Sequence, residues 1–224
     1  SWCDINKYPI PDFSLVEGWK GDNIVPIQTS RGCPFSCKFC SVTKVFGRQV
    51  RHKTIERVLE EVKSQNSKYV FFIDDNFTAS KKKAKELLGR IIDDGISIRW
   101  GTQVRVDAAQ DEELIALMKK AGCFMVYIWM ESINPESLKD ARKKQTVEDI
   151  IKSIKVFHRY EIKIHGMFVI GFDTDDIKTI RQTVKFAKKE KIDSVQIMIL
   201  TPLPGTETYD ELEKEGRLLS GIGW

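Results

Sequence analysis

The sequence has no apolar run that approaches the length of a membrane span, and no charged and then apolar leader typical of a signal peptide. It has no Gly-x-Gly-x-x-Gly motif after its first predicted strand, which argues against a Rossmann fold. Its five cysteines are odd in number and three of them are clustered, which argues against a disulfide framework. These absences favour a reducing compartment, the cytoplasm, and cysteines that bind metal.

Charge and composition are those of an ordinary globular chain. The 224 residues are 42% hydrophobic and 30% charged, enough for one domain with a substantial core. The net charge is +4, but Lys and Glu are interspersed along the predicted helices, so a nucleic-acid partner is not expected. One stretch, residues 41–53, holds Lys44, Arg48, Arg51 and Lys53 without an acid. A solvated loop explains it best, and contact with an anionic substrate or a reductase is the alternative.

Three cysteines, Cys33, Cys37 and Cys40, fall within eight residues at the spacing Cys-x3-Cys-x2-Cys. Thiolates are soft ligands that suit iron–sulfur clusters and zinc. Three thiolates can hold three irons of a [4Fe-4S] cluster and leave the fourth iron open to a substrate. Arg31 and Lys38 place positive charge in the same loop, which favours thiolate over thiol.

A fourth ligand would change this interpretation. A structural zinc site or a four-cysteine cluster needs one at recognisable spacing, and Cys3, His52 and Cys123 do not provide it. The spacing therefore favours an open cluster, and a non-catalytic zinc or electron-transfer module remains the alternative.

The motif Cys33-x3-Cys37-x-Phe39-Cys40, with an aromatic residue before the third cysteine, resembles the signature of radical S-adenosylmethionine (SAM) enzymes. The resemblance implies that the open iron chelates SAM, and that one electron cleaves SAM to a 5′-deoxyadenosyl radical. The string over residues 29–42 is most similar to the branch that carries an N-terminal cobalamin-binding domain. That branch implies a methyltransferase that uses cobalamin held by a domain absent from this chain, and a reductase such as flavodoxin or ferredoxin. A methylthiotransferase-like enzyme is the alternative within the superfamily.

Apolar segments alternate with helical patterns along the chain, which predicts an α/β fold with a parallel sheet and outer helices. The resemblance implies a partial (β/α)6 TIM-like barrel. We expect residues 1–22 to be an N-terminal connector and residues 23–224 to be the core barrel of a longer protein, because the chain begins without Met. The predicted strands cover residues 23–30, 69–73, 98–104, 124–130, 162–170 and 195–200, and the predicted helices follow them, the fourth opening at Thr146.

Polar residues follow the second, third and fourth predicted strands, where a parallel barrel places its chemistry. The resemblance implies that Asp75 and Asn76 contact the SAM amino group, with Asn76 at the position of the family's Glu. Turn and capping roles before the next helix are the alternative. Arg105 suits the SAM carboxylate or a substrate acid. A structural pair with Asp107 or Asp75 is the alternative.

The remaining predicted contacts also come from the resemblance. Glu131 and Ser132 close the fourth strand, and Glu131 is expected to bind a ribose hydroxyl or the amino group of SAM; an ion pair with a barrel Lys or Arg is the alternative. Phe39, Val169, Gly171 and Leu200 complete the predicted cofactor contacts, with Val169 and Gly171 packing on adenine. The sequence identifies no substrate and no catalytic side chain.

Overall fold

The computed structural model describes residues 4–19 and 23–219. Its centre is a sheet of six parallel strands in chain order, with the first and last strands at the two edges. The strands are β1 (Val25–Ile27), β2 (Tyr69–Phe72), β3 (Arg99–Val104), β4 (Cys123–Glu131), β5 (Lys163–Ile170) and β6 (Ser194–Ile199). The predicted α/β class and the partial barrel of parallel strands are confirmed.

Eight α-helices lie within the described residues. They are α1 (Val42–Phe46), α2 (Ile55–Ser64), α3 (Lys81–Asp93), α4 (Glu112–Lys120), α5 (Pro135–Asp140), α6 (Val147–Arg159), α7 (Ile177–Lys189) and α8 (Glu207–Lys214). Thr146 is the N-cap of α6 in a capping box with Asp149, as the sequence indicates. The short helices α1 and α5 were not predicted, because five or six residues are too few to show a helical period.

One row of paired residues shows how the sheet is buried. Ile27, Phe72, Thr102, Val126 and Ile164 are successive partners across five strands, and all five are fully buried. Thr102 is the polar residue of this row, and its hydroxyl has a hydrogen-bond partner because it donates to the Phe72 carbonyl at 2.9 Å. This face of the sheet packs with helical residues such as Leu88, Leu114 and Phe157 in one continuous core.

The opposite face of the sheet is only partly buried. There the ring of Tyr127 contacts Phe71 and His165, with ring centroids 5.0 Å and 4.6 Å apart. His165 Nδ1 lies 2.8 Å from Ser194 Oγ, so this histidine is held at the flank of the sheet. Gly101 makes room for the Phe71 ring, whose nearest atom would lie 3.4 Å from an added Cβ.

The first predicted strand is shorter than expected. Residues 23–30 were predicted, but only Val25–Ile27 joins the sheet. Ser30–Arg31 leaves it and pairs antiparallel with Arg51–His52 in a two-stranded hairpin. The hairpin closes the base of the loop that carries the three clustered cysteines.

The amino-terminal segment lies along α2. The Thr54 backbone N–H donates to Asn6 Oδ1 at 2.7 Å, and Arg57 Nη2 donates to the Tyr8 carbonyl at 2.8 Å. Ile5 is 1% exposed, so this segment contributes to the packing. No helix among the described residues is both long enough and apolar enough to cross a membrane.

The turn from α4 into β4 requires glycine at position 122. Gly122 has φ +95°, and a Cβ there would come within 2.0 Å of the Ile98 carbonyl oxygen. We expect Gly122→Ala to lower the free energy of unfolding by about 3 kcal/mol, because the backbone must shift. Urea unfolding followed by circular dichroism measures this change.

Gly89 provides the matched control. It lies within α3, and an added Cβ would meet no atom within 4 Å. Gly89→Ala should raise the free energy of unfolding by about 0.5–1 kcal/mol, because alanine restricts the unfolded chain more than glycine does. Equal effects of the two substitutions would contradict this account of the turn.

Candidate functional site

The cysteine loop, residues 32–41, leaves the hairpin at the carboxyl end of β1. Gly32 opens it with φ +97°, and a Cβ at this position would lie 2.9 Å from the Gln49 carbonyl oxygen. The thiols of Cys33, Cys37 and Cys40 are all free and half-buried. The Cys40 backbone N–H donates to the Cys37 carbonyl at 3.2 Å, which forms a turn between the last two cysteines.

The three thiols lie within electrostatic reach of one another, since negative charge at Cys37 raises the pKa of both Cys33 and Cys40. Within the described ranges, no three His, Cys, Asp or Glu side chains are grouped to enclose a single metal ion. A tetrahedral zinc site places each sulfur about 2.3 Å from one metal, whereas a [4Fe-4S] cluster takes one thiolate per iron.

Burial raises the pKa of Cys33 and the pKa of Cys40, the latter to about 11. The charges of Arg105 and Lys143 act against this rise, at Cys33 and Cys40 respectively. Arg105 also contacts the remaining thiol, that of Cys37, since its Nη1 lies 3.9 Å from Cys37 Sγ.

The two cations expected beside the thiols are engaged elsewhere. Arg31 donates to Gln28 and lies over the rings of Tyr8 and Phe46. Lys38 forms ion pairs with Asp140 and Glu211 at 2.9 and 2.5 Å. The expectation that Arg31 and Lys38 supply the local positive charge is therefore corrected in favour of Arg105 and Lys143.

Two acids after β2 hold the entrance of the cysteine loop. Asp74 is fully buried and accepts hydrogen bonds from both the backbone N–H and the hydroxyl of Thr29 and of Ser30. Asp75 Oδ2 accepts from the Gly32 backbone N–H at 3.1 Å. Asn76 Oδ1 accepts from the Thr78 hydroxyl at 3.0 Å, the turn role named as the alternative. The predicted SAM contacts of Asp75 and Asn76 stay predictions.

Arg105 lies between the cysteine loop and the segment after α5. Its Nε is 3.3 Å from Asp107 Oδ1, its Nη2 donates to the Lys143 carbonyl at 2.7 Å, and its guanidinium lies 3.9 Å from the centre of the Phe35 ring. The pair with Asp107 is the structural alternative named for this residue. Binding of the SAM carboxylate by Arg105 stays a prediction.

Glu131 ends β4 in a strained position. The register with β5 shifts between Trp129 and Glu131, and Glu131 has φ +62° although it is not glycine. This bulge turns its side chain inward, where it is 1% exposed. Glu131 Oε1 lies 2.5 Å from Lys143 Nζ, and Oε2 has no hydrogen-bond partner in the part of the chain that the structure describes. The ion pair is the alternative named above for Glu131.

Ser132 and Lys143 are two residues beside Glu131. Ser132 Oγ accepts from the Asn134 backbone N–H at 3.0 Å, just before α5. Lys143 was not predicted as a site residue, because it lies in a loop without a motif. The sequence shows only the basic run Arg142-Lys143-Lys144, and the left-handed φ of its outer members, +51° and +52°, is visible in the structure alone.

Apolar site residues from three separate segments of the chain meet beside the cysteines. Phe39, Val169 and Leu200 belong to a small cluster distinct from the main core, together with Ala141, Phe172 and Met198. Gly171 is next to this cluster with φ +102°, and its backbone N–H donates to Asp175 Oδ2 at 3.0 Å. The structure brings together the predicted residues Phe39, Val169 and Leu200.

These residues fit a cluster and SAM. Three thiols share one loop with a cation against one of them. A buried acceptor, Glu131 Oε2, lacks a donor from the described residues. An apolar cluster of adenine-compatible character adjoins the thiols, since aliphatic and aromatic side chains pack on flat rings.

The sequence matches the model of the Radical SAM superfamily over residues 27–187. An uncharacterized methyltransferase of Pyrococcus horikoshii is 35% identical over 99% of this chain and 50% of its own length. A hopanoid C-2 methylase of Rhodopseudomonas palustris is 29% identical over 96% of this chain and 42% of its own. A putative methylthiotransferase of Methanocaldococcus jannaschii is 30% identical over 94% and 49%. The chain thus spans about half the length of these relatives.

Solved structures share the fold. The radical S-adenosylmethionine methyltransferase TsrM from Kitasatospora setae, with cobalamin and a [4Fe-4S] cluster bound, gives a TM-score of 0.79 at 22% identity over 87% of this chain and 40% of that chain. The cobalamin-dependent S-adenosylmethionine radical enzyme OxsB gives a TM-score of 0.63 at 18% identity over 86% and 30%.

Asp74 gives the site a pH dependence. Complete burial raises its pKa from 3.8 to about 6. Between about pH 4 and 6 the native chain keeps a proton that the unfolded chain has lost, so the free energy of unfolding falls as pH rises through this range, by on the order of 3 kcal/mol. Asp74→Asn removes this titration and should make the fall shallower.

Urea unfolding of both proteins at several pH values tests the effect. The comparison uses the slope of the free energy of unfolding against pH. Asn at position 74 also changes stability at every pH, because it loses acceptors for Thr29 and Ser30. Identical slopes from pH 4 to 6 would exclude a raised pKa for Asp74.

Proposed function

The chain belongs to the radical SAM superfamily, and on that premise we propose that residues 23–224 form an enzyme core that cleaves SAM reductively. Cys33, Cys37 and Cys40 hold a [4Fe-4S] cluster whose fourth iron is left for SAM. The observation that carries the proposal is three free thiols on one loop, with the nearest other described cysteine, Cys123, buried in the main core.

Each residue of the site has a role in binding, orientation or exclusion of water. Arg105 offsets the negative charge of the thiolates through its position beside Cys37. Glu131 Oε2 accepts a hydrogen bond from a SAM hydroxyl or amino group, which satisfies a buried acceptor. Phe39 and Val169 pack on the adenine. When bound, the cluster supplies the electron that cleaves SAM to methionine and a 5′-deoxyadenosyl radical.

The other predicted contacts complete the SAM site in this proposal. Asp75 and Asn76 follow β2 and Ser132 follows β4, so all three leave the same edge of the sheet as the cysteine loop. Gly171 and Leu200 lie beside the apolar cluster. The carboxyl ends of parallel strands are where barrel enzymes bind their ligands.

We infer methyl transfer with cobalamin as the reaction of the whole protein. The support is that two of the relatives named above are a methyltransferase and a methylase, and that the solved neighbours bind cobalamin. Cobalamin would be held by a domain outside these 224 residues, to which residues 1–22 would connect. A methylthiotransferase is the second candidate, because one relative of comparable identity carries that name.

Radical SAM enzymes need a reductant. We propose a flavodoxin or ferredoxin in the cytoplasm, because a cluster with an open iron and free thiols requires a reducing compartment.

Anaerobic reconstitution with iron and sulfide, followed by SAM and dithionite, tests the proposed chemistry. Wild type should assemble about four irons and four sulfides per chain and release 5′-deoxyadenosine and methionine. Cys33→Ala, Cys37→Ala and Cys40→Ala should each lose product, because each removes one of three ligands. Cys123→Ala is the matched control and should retain both cluster and product.

Four results would discriminate among the alternatives. One tightly bound zinc in place of a cluster would overturn the enzyme proposal. Product formation that survives loss of Cys37 would exclude the three-thiolate site. With the full-length protein, dependence of methyl transfer on added cobalamin would favour the methyltransferase, and sulfur insertion without cobalamin would favour the methylthiotransferase.

A further inference from the structure

The lysine loop, residues 141–146 between α5 and α6, buries a charge beside the site. Lys143 is 5% exposed, which is unusual for a lysine. Arg142 and Lys144 on either side of it have left-handed φ values of +51° and +52°. The left-handed Arg142 belongs to the Schellman motif that ends α5, in which the Arg142 backbone N–H donates to the Lys139 carbonyl at 3.0 Å and the Lys143 backbone N–H donates to the Leu138 carbonyl at 3.2 Å. The chain reverses direction at this cap, and Lys143 lies buried immediately after it.

Lys143 connects the cysteine loop to Glu131. Its Nζ lies 2.5 Å from Glu131 Oε1, and its carbonyl accepts from Arg105 Nη2 at 2.7 Å. Arg105 in turn places Nη1 3.9 Å from Cys37 Sγ. A second link joins the two loops, because the Lys38 backbone N–H donates to the Ala141 carbonyl at 3.3 Å. The position of Glu131 is thus coupled to the position of a cluster ligand.

Two buried acceptors next to Lys143 have no donor. Glu131 Oε2 and Gln145 Oε1 lack a hydrogen-bond partner among residues 4–19 and 23–219. The Gln145 side chain is held by its amide, whose Nε2 donates to the Met130 carbonyl at 2.9 Å. Buried acceptors are seldom left unpaired, so two together indicate that a ligand supplies the donors.

The ion pair leaves one oxygen of Glu131 available. Lys143 engages Oε1, so the carboxylate has a fixed orientation and Oε2 remains for another donor. Without Lys143 the carboxylate would be a buried charge with no partner, which proteins strongly disfavour. The orientation of this acceptor therefore depends on a residue that need not touch the ligand.

We propose that Lys143 is a positioning residue for SAM: it holds Glu131 Oε1, directs Oε2 at a SAM donor, and ties that carboxylate to Cys37 through Arg105. This inference rests on the proposed function and adds a residue that no motif identifies. Lys143 acts through Glu131, so its effect on SAM binding should vanish when Glu131 no longer carries a charge.

A double-mutant cycle on the reconstituted full chain tests this dependence. The affinity for SAM is measured by isothermal titration calorimetry with the oxidised cluster, so that no turnover occurs. Lys143→Met should weaken binding roughly tenfold or more, because the buried carboxylate loses its partner. In the Glu131→Gln background, Lys143→Met should change the affinity by less than about threefold.

Lys144→Met is the matched control. It removes the same charge from the next residue of the lysine loop, and Lys144 is exposed. It should leave the affinity within about twofold of wild type, because a surface charge contributes little. Electron paramagnetic resonance of the reduced cluster gives a second readout. SAM should change the spectra of wild type and Lys144→Met at a concentration that leaves the spectrum of Lys143→Met unchanged.

Three results would overturn the inference. These are SAM binding by Lys143→Met equal to that of wild type, an equal loss of affinity from Lys143→Met in both backgrounds, and an equally large loss from Lys144→Met. If Lys143→Met assembles no cluster, Lys143→Arg takes its place in the cycle, because it keeps the charge and moves the donors. A wild-type chain that assembles a cluster and binds no SAM would instead contradict the proposed function.

Discussion

The parallel direction of all six strands is the constraint on which the rest of the structure depends. All six strands end at the same edge of the sheet. The segments that follow them are distant in sequence but therefore lie close together. The cysteine loop follows β1, Asp74 and Asp75 follow β2, Arg105 follows β3 and Glu131 closes β4. A site that binds a large ligand can then be assembled from single residues, each supplied by a different loop.

The cost of this arrangement is a set of buried charges, and the fold compensates each of them locally. Asp74 is surrounded by four donors from Thr29 and Ser30, and Glu131 is paired with Lys143. Arg105 is shared among a carboxylate, a carbonyl and an aromatic ring. Such networks are stable only when nearly every polar atom has a partner. At the site, Glu131 Oε2 and Gln145 Oε1 are buried acceptors without a hydrogen-bond partner among the described residues.

The sequence predicted the structure best where many residues follow one repeating pattern. Six apolar segments with helical periods between them predicted the sheet and its order, because burial on both faces of a parallel strand leaves a continuous apolar run. The spacing of Cys33, Cys37 and Cys40, with Phe39 beside them, predicted a loop that binds a cluster, and the structure shows three free thiols there. The hairpin of Ser30–Arg31 with Arg51–His52 was missed, since two-residue strands carry no period. Lys143 was missed for a different reason: its pairing with Glu131 depends on the turn after α5 and on a bulge in β4, which only three-dimensional structure reveals.

Mössbauer spectroscopy of the reconstituted protein, with ⁵⁷Fe introduced selectively at the labile iron, tests the central claim most directly. Three thiolates predict one iron that is exchangeable and distinct from the other three, and a change in its isomer shift when SAM is added, because SAM raises its coordination number. A spectrum that SAM leaves unchanged, or four irons that cannot be distinguished, would contradict a cluster held by Cys33, Cys37 and Cys40 with one iron open to SAM.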